Sequence, residues 1–274
     1  MLVVFSGGSG VGKNTIIERL LAEGGFALMP TYTTRAQRPN ESFGKPYHFI
    51  TEEQFKEKID SGELFEYNIV HGNYYGSSRV LFDEKVKSGK VLLKDIDVQG
   101  TQALAETLGK MTKLLTFFLR VDSKEVLVKR LTERQEKEIE KRLARYDLEQ
   151  TYQTKYDFII TNNELEETLG ICRDIISYSK DGAHFLSTKP MKELDVEKIE
   201  KMAELLKNGS DELPPVSVGI KDHKLYIVDG HSRYLASLLA GKKIAAAIVT
   251  NGEITDVPQA DWERDIEHFL SKNG

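Results

Sequence analysis

Residues 7–13 read GGSGVGK and follow the apolar run LVVFS. Glycines reach backbone conformations closed to other residues, so consecutive N–H groups there can turn toward one anion. A helix that begins near Lys13 adds its positive end, and Lys13 itself brings a mobile cation to a phosphoryl group. The spacing G-x-x-x-x-G-K between a strand and a helix is that of a phosphate-binding loop. Gly8, Ser9, Gly10, Val11, Gly12, Lys13, Asn14 and Thr15 are therefore expected to hold the phosphates of ATP. The pattern next calls for a Ser or Thr whose hydroxyl meets Mg2+, but this chain has Asn14. Its amide oxygen sits on a longer arm that can still ligate a hard cation. Thr15 supplies a hydroxyl one position late.

A second, denser set of chemically capable residues lies between Thr31 and Asp97, in the segments TYTTRAQRPNESFGKPYHF, ELFEYNIVHGNYYGSS and LLKDIDVQG. Arg35 and Arg38, three apart, can turn forked donors onto one dianionic phosphate, with Tyr47 and Tyr75 adding hydroxyls. The three segments, in this order and spacing, resemble guanylate kinases, whose acceptor site is written T-T-R-x-x-R-x-x-E-x-x-G-x-x-Y-x-F, then a Glu six residues before G-N-Y-Y-G-[ST], then D-I-D-x-Q-G.

The resemblance covers about residues 1–180 and implies GMP as the acceptor, with dGMP as a further candidate. Guanine offers an N1–H beside an exocyclic amine, two adjacent donors for which a carboxylate is the natural partner. The resemblance gives that role to Glu66, with Asp95 helping to read the base and Glu41 in the motif's acidic position. Ser77 and Thr31 stand where the family places hydroxyls near the base, Thr31 in place of a usual Ser. Asp97 is implied as a companion of Asn14 around Mg2+.

The family also carries arginines on a mobile lid that closes over the donor phosphates and excludes water. Here VLVKRLTERQEKEIEKRLARYDLE fills that place, and Arg130, Arg134 and Arg142 match the basic positions. Gln135 replaces a usual Gly, and the stretch between Arg134 and Arg142 is shorter than the family's. Alternating Glu and Lys or Arg at helical spacing also suits a plain solvated helix face.

The elements that must position these groups follow from apolar periodicity. Buried strands are expected at LVVFS, KVLLKDID, KLLTFFLRV and YDFIIT, separated by helical stretches. Alternation of strands and helices implies a mainly parallel sheet. The fold class expected is thus α/β, a P-loop nucleoside-monophosphate-kinase fold over residues 1–180, with an acceptor-binding region at 31–80 and a lid at 125–145. A Gly-, Ser- and Pro-bearing segment near residue 185 then opens a smaller α+β unit, 185–274.

Within it, LPPVSVGI and KLYIVDGHSRYLASLLAGKKIAAAIV resemble the ParB/sulfiredoxin-like domain, in which a strand ending in D-G-x-x-R runs into a helix. Gly230, His231, Ser232 and Arg233 would form an anion pocket there for a second nucleotide or phosphate. Sulfiredoxin chemistry needs a Cys in this turn, and the chain's single cysteine, Cys172, lies elsewhere. Some members with a D-G-H-x-R turn are kinases acting on free serine. Glu193 and Asp195 are the acidic candidates for such a base.

The 274 residues carry a formal charge of -5, with 40% hydrophobic and 30% charged residues, which argues for a soluble globular protein and against nucleic acid as a partner. No run approaches the roughly 18 apolar residues of a membrane span. A cytoplasmic location is expected, and one cysteine excludes an internal disulfide. The activity expected is ATP-dependent phosphorylation of GMP to GDP. Two other readings stay open: a P-loop kinase for another small phosphorylated acceptor, and a catalytically weak guanine-nucleotide binding module beside a nucleotide-binding or serine-kinase-like C-terminal domain.

Overall fold

The apolar run Leu2–Ser6 forms β1, buried along its whole length, and the chain leaves it through the glycine loop into α1 (Lys13–Ala22). The structure, a computed structural model, describes residues 1–37, 47–70, 72–109, 111–136, 138–180, 182, 184–209, 213–250, 254 and 262–273. Arg38 and Glu41 lie outside the described residues. Contacts divide the chain into two compact units, Met1–Thr116 and Phe117–Gly274.

In the first unit, β2 (Phe26–Leu28), β3 (Thr31–Thr33), β4 (Tyr47–Phe49), α2 (Glu52–Asp60), β5 (Leu64–Val70), β6 (Asn73–Ser78), α3 (Arg79–Val86), β7 (Val91–Asp95) and α4 (Val98–Leu108) follow in order. β7 runs parallel to both β1 and β2, with Leu2 opposite Leu92 and Ala27 opposite Leu92. A core of Leu2, Val4, Met29, Phe65, Phe82, Leu92, Leu104 and Leu108 closes around it.

A second sheet, ordered β4-β3-β6-β5, holds the acceptor segments. β3 pairs parallel with β4, while β6 is antiparallel to both β3 and β5. Gly76 is needed in β6, because a Cβ there would come within 2.8 Å of the Phe55 ring and 2.9 Å of Leu64. That close approach seats α2, whose first turn is fixed by a reciprocal Thr51–Gln54 capping box.

The chain crosses into the second unit along β8 (Leu114–Arg120). It continues through α5 (Lys124–Glu133), α6 (Ile139–Gln150), β9 (Phe158–Thr161), α7 (Leu165–Lys180), β10 (Leu186–Ser187), α8 (Val196–Lys207), β11 (Val216–Lys221), β12 (Lys224–Asp229), α9 (His231–Leu239), β13 (Ala246–Ile248) and α10 (Trp262–Asn273). The strand order is β10-β12-β11-β13-β9-β8, and only the β11–β12 hairpin is antiparallel. Its turn holds Asp222 and His223 at φ 49° and 60°, the left-handed pair that a tight hairpin requires.

The residues after 185 share this sheet with those before 180. β13 pairs parallel with β9, setting Ala246 opposite Phe158. Phe185 packs on Phe158 and stacks on Tyr234, and Trp262 donates its Nε1–H to the Phe185 carbonyl.

Where a lid was expected over 125–145, α5 ends at Glu133 and α6 starts at Ile139. Gln135 and Glu138, on either side of the break, have φ of 53° and 60°. The usual Gly takes that left-handed conformation freely, whereas Gln135 holds it at a cost of about 1 kcal/mol. Among the described residues no helix is long and apolar enough to cross a membrane.

Candidate functional site

Strand register does most of the assembly in the first unit. Thr31 on β3 lies opposite Ser77 on β6, and Ser77 lies opposite Glu66 on β5, so the three share one row and one face. The Ser77 hydroxyl donates to Glu66 Oε1. The Thr31 hydroxyl donates to the Met29 carbonyl at 3.4 Å.

A cation that no sequence motif marks completes the row. Lys94, on β7, donates from Nζ to Thr31 Oγ1 at 3.1 Å and stands 3.8 Å from Glu66 Oε1. The Lys94 and Glu66 side chains are only 6% and 5% exposed. Burial pushes the Lys94 ammonium below the usual lysine range, against the opposing pull of Glu66 and Asp95. A lysine set directly after the apolar VLL of a buried strand was the signal available, since an unpaired lysine is rarely buried.

Asp95 follows at the end of β7, with 40% of its side chain exposed. Crowding protein raises its pKa, while Lys13 and Lys94 pull it down and Asp97 adds to the rise.

Two residues along the same strands, Thr33 lies opposite Tyr75, and Tyr75 opposite Asn68. Arg35 donates from Nε to the Tyr75 hydroxyl at 3.2 Å and holds its guanidinium over the Tyr47 and Phe49 rings, 5.3 and 5.6 Å from their centres. Arg35, Tyr47 and Tyr75 therefore lie together. The contribution expected of Arg38 and Glu41 lies outside the described residues.

At the glycine loop, Gly7, Gly10 and Gly12 have φ of 127°, 89° and 102°, conformations that need glycine. Gly12 caps α1 without any side-chain bond, which leaves the helix's first N–H groups facing the loop. Lys13 reaches back to the Gly7 and Gly8 carbonyls at 2.6 and 3.1 Å and lies 3.9 Å from Asp95. Asn14 is exposed on the first turn. Asp97 stands beyond the strand as the N-cap of α4, accepting from Gly100 N at 2.8 Å and from Asn68 Nδ2 at 3.2 Å.

The three arginines expected on a lid belong to the second unit. Arg130 donates to the carbonyls of Asn162 and Asn163 at 2.9 and 3.1 Å, Arg142 pairs with Glu136 at 2.7 Å, and Arg134 caps the end of α5. At the other candidate turn, Gly230 has φ of 91° and caps α9. Arg233 bonds Asp229 at 2.9 Å, and both border a cavity of about 390 Å3 with Lys189, Lys198, His231 and Ser232. Asp195 accepts from Lys198 N at 3.0 Å as the N-cap of α8.

The protein-family model described as guanylate kinase matches residues 1–179. The guanylate kinase of Fusobacterium nucleatum is 38% identical over 184 residues, covering 66% of this chain and 96% of the relative. That of Prochlorococcus marinus is 37% identical over 172 residues, 61% of this chain and 92% of the relative. Among solved structures, the guanylate kinase from Anaplasma phagocytophilum is similar with a TM-score of 0.51 and 29% identity, over 65% of this chain and 84% of that one.

The turn at His231 lies beyond the matched residues, and its electrostatics carry a consequence of their own. The imidazole is buried, with Nε2 3.3 Å from Thr188 Oγ1. Burial first, and then the nearby Lys189, lower its pKa from 6.5 to about 4, with Asp229 opposing. The unfolded chain therefore binds the proton more readily between those values, so stability is full above pH 6.5 and falls as pH drops toward 4. That displacement is worth up to about 3 kcal/mol. Urea midpoints measured across this window should fall less steeply for His231→Asn than for the unaltered protein, and identical slopes would contradict the assignment.

Proposed function

The chain belongs to the guanylate kinase family, and from that premise we propose that it transfers the γ-phosphoryl group of ATP to GMP, giving ADP and GDP. The observation that carries this reading is the joint presence, in one unit, of an intact glycine loop ending in Lys13 and a buried row of Thr31, Ser77 and Glu66 at a strand register that aligns their side chains. A phosphate oxygen of GMP attacks the γ-phosphorus of ATP, and ADP leaves with the electron pair of the broken bond. Little covalent work falls to the protein in such a reaction, which proceeds by positioning and charge stabilisation.

In this reading the loop and Lys13 hold the donor. Arg35 and Tyr75, with Tyr47 and Arg38, hold the acceptor's phosphate end, and Glu41 belongs to the same GMP-binding set. Glu66 accepts from guanine N1–H and the 2-amino group, Ser77 fixes the carboxylate, and Asp95 flanks the base. Arg130, Arg134 and Arg142 serve as cations toward the donor phosphates. The presence of Lys13 and every loop glycine speaks against a module that only binds.

The donor set near the loop suits Mg2+. Among the described residues no group of three acidic, His or Cys side chains could hold a metal alone, and Mg2+ ordinarily takes one or two protein oxygens together with substrate phosphates and water. Asn14 and Asp97 are the residues that would hold it. When bound, it would neutralise charge on the transferring phosphates. For residues 185–274 we keep the ParB/sulfiredoxin-like reading, in which Gly230, His231, Ser232 and Arg233 face a phosphate-bearing ligand; the cavity bordered by Lys189, Lys198 and Arg233 supports it.

A coupled assay over GMP, dGMP, AMP, CMP and UMP with ATP and magnesium should show turnover of the guanine nucleotides alone. Glu66→Gln should lower kcat/KM for GMP about 100-fold, as expected for loss of charge-assisted hydrogen bonds, with ATP affinity unchanged; undiminished guanine selection would remove Glu66 from the base site. Asn14→Ser should tighten the apparent magnesium requirement, and an unaltered magnesium titration would place Asn14 outside the metal's surroundings. Calorimetry with pyrophosphate should detect binding that Arg233→Ala abolishes, whereas no binding to either protein would leave the turn without a ligand.

A further inference from the structure

The buried row contains two hydroxyls, a carboxylate and an ammonium, and their hydrogens can be accounted for one by one. Ser77 commits its proton to Glu66, and Thr31 commits its own to Met29 O. Thr31 Oγ1 in turn accepts from Lys94 at 3.1 Å, and the Lys94 contact with Glu66 is 3.8 Å, beyond ordinary hydrogen-bond length. An ammonium has three donors. Of the side chains in this row, Lys94 is thus the one with an N–H or O–H left to offer a ligand.

We propose that Lys94 is a specificity-determining residue of the acceptor site, whose ammonium donates to the 6-oxo group of the purine beside the Glu66 carboxylate. The proposal rests on the reading of this site as a guanylate site. Guanine carries an acceptor at position 6 next to the N1–H and 2-amino donors. A donor at Lys94 and an acceptor at Glu66, 3.8 Å apart, match that sequence of groups along one edge. Adenine carries an amine at position 6 and a bare lone pair at N1, so it would set donor against donor and carboxylate against lone pair at once. Buried polar groups left unpaired in this way are what make such sites selective. Thr31 fixes the ammonium from behind, and β7 supplies a rigid base for it.

The test compares GMP with 6-thio-GMP, which keeps N1–H and the 2-amino group but carries a weakly accepting sulfur at position 6. The unaltered protein should prefer GMP about tenfold or more in kcat/KM. Lys94→Met should lower kcat/KM for GMP by about 10- to 100-fold, lower that for 6-thio-GMP far less, and bring the ratio close to one. Thermal midpoint and ATP-analogue binding check that the variant is folded, and Lys94→Leu, which suits a buried strand, repeats the measurement if the Met variant is unstable. A parallel fall for both substrates would mean that Lys94 only steadies Glu66, and an unchanged ratio would mean that it does not meet position 6; either result overturns the proposal. Absence of GMP phosphorylation by the unaltered protein would instead sink the guanylate reading beneath it.

Discussion

A lysine and a glutamate buried side by side are the constraint from which the rest of the first unit can be understood. At 3.8 Å the attraction between Lys94 and Glu66 is about 4 kcal/mol for an effective dielectric of roughly 20. Removing each ion from water costs several kcal/mol. The pair is therefore at best neutral for folding, and an apolar strand at this position would have served stability as well. What the pair does provide is an acceptor and a donor at fixed positions in a space from which water is largely excluded, where polar complementarity discriminates most strongly.

Holding that pair requires two sheets in fixed relation within one unit. β3, β6 and β5 align Thr31, Ser77 and Glu66 by register alone, and β7 brings Lys94 to them from the parallel sheet. The same strand ends in Asp95, 3.9 Å from Lys13, so one five-residue strand meets both the Thr31–Ser77–Glu66 row and the glycine loop. Gly76 admits α2 against β6, and Asp97 starts α4 immediately after the strand. Packing, capping and chemistry here share residues, which is why few of them are interchangeable.

Much of this was legible in the sequence because phosphate loops and the acceptor motifs are local patterns with fixed spacing. The strand LVVFS follows from its apolar run, and the helix from Lys13 follows from the glycine loop that precedes it. Lys94 is hard to single out because, in KVLLKDID, its charge reads like those at the strand's ends until its partners from β3 and β5 are known. Asp97, expected to face the loop at a strand end, also caps α4, a second role that any Asp before a helix can take and that the motif alone does not reveal. The three-residue strands β3 and β4 are too short to show a period. The parallel pairing of β13 with β9 joins residues almost ninety positions apart along the chain, and no local pattern announces it.

The most direct measurement is a crystal structure with GMP bound. The account predicts guanine N1 and the 2-amino nitrogen within hydrogen-bond distance of Glu66, O6 within reach of Lys94 Nζ, and the phosphate against Arg35 and Tyr75. A base seated away from the Thr31–Ser77–Glu66 row, or a Lys94 that still bonds only Thr31 with O6 facing another donor, would contradict it.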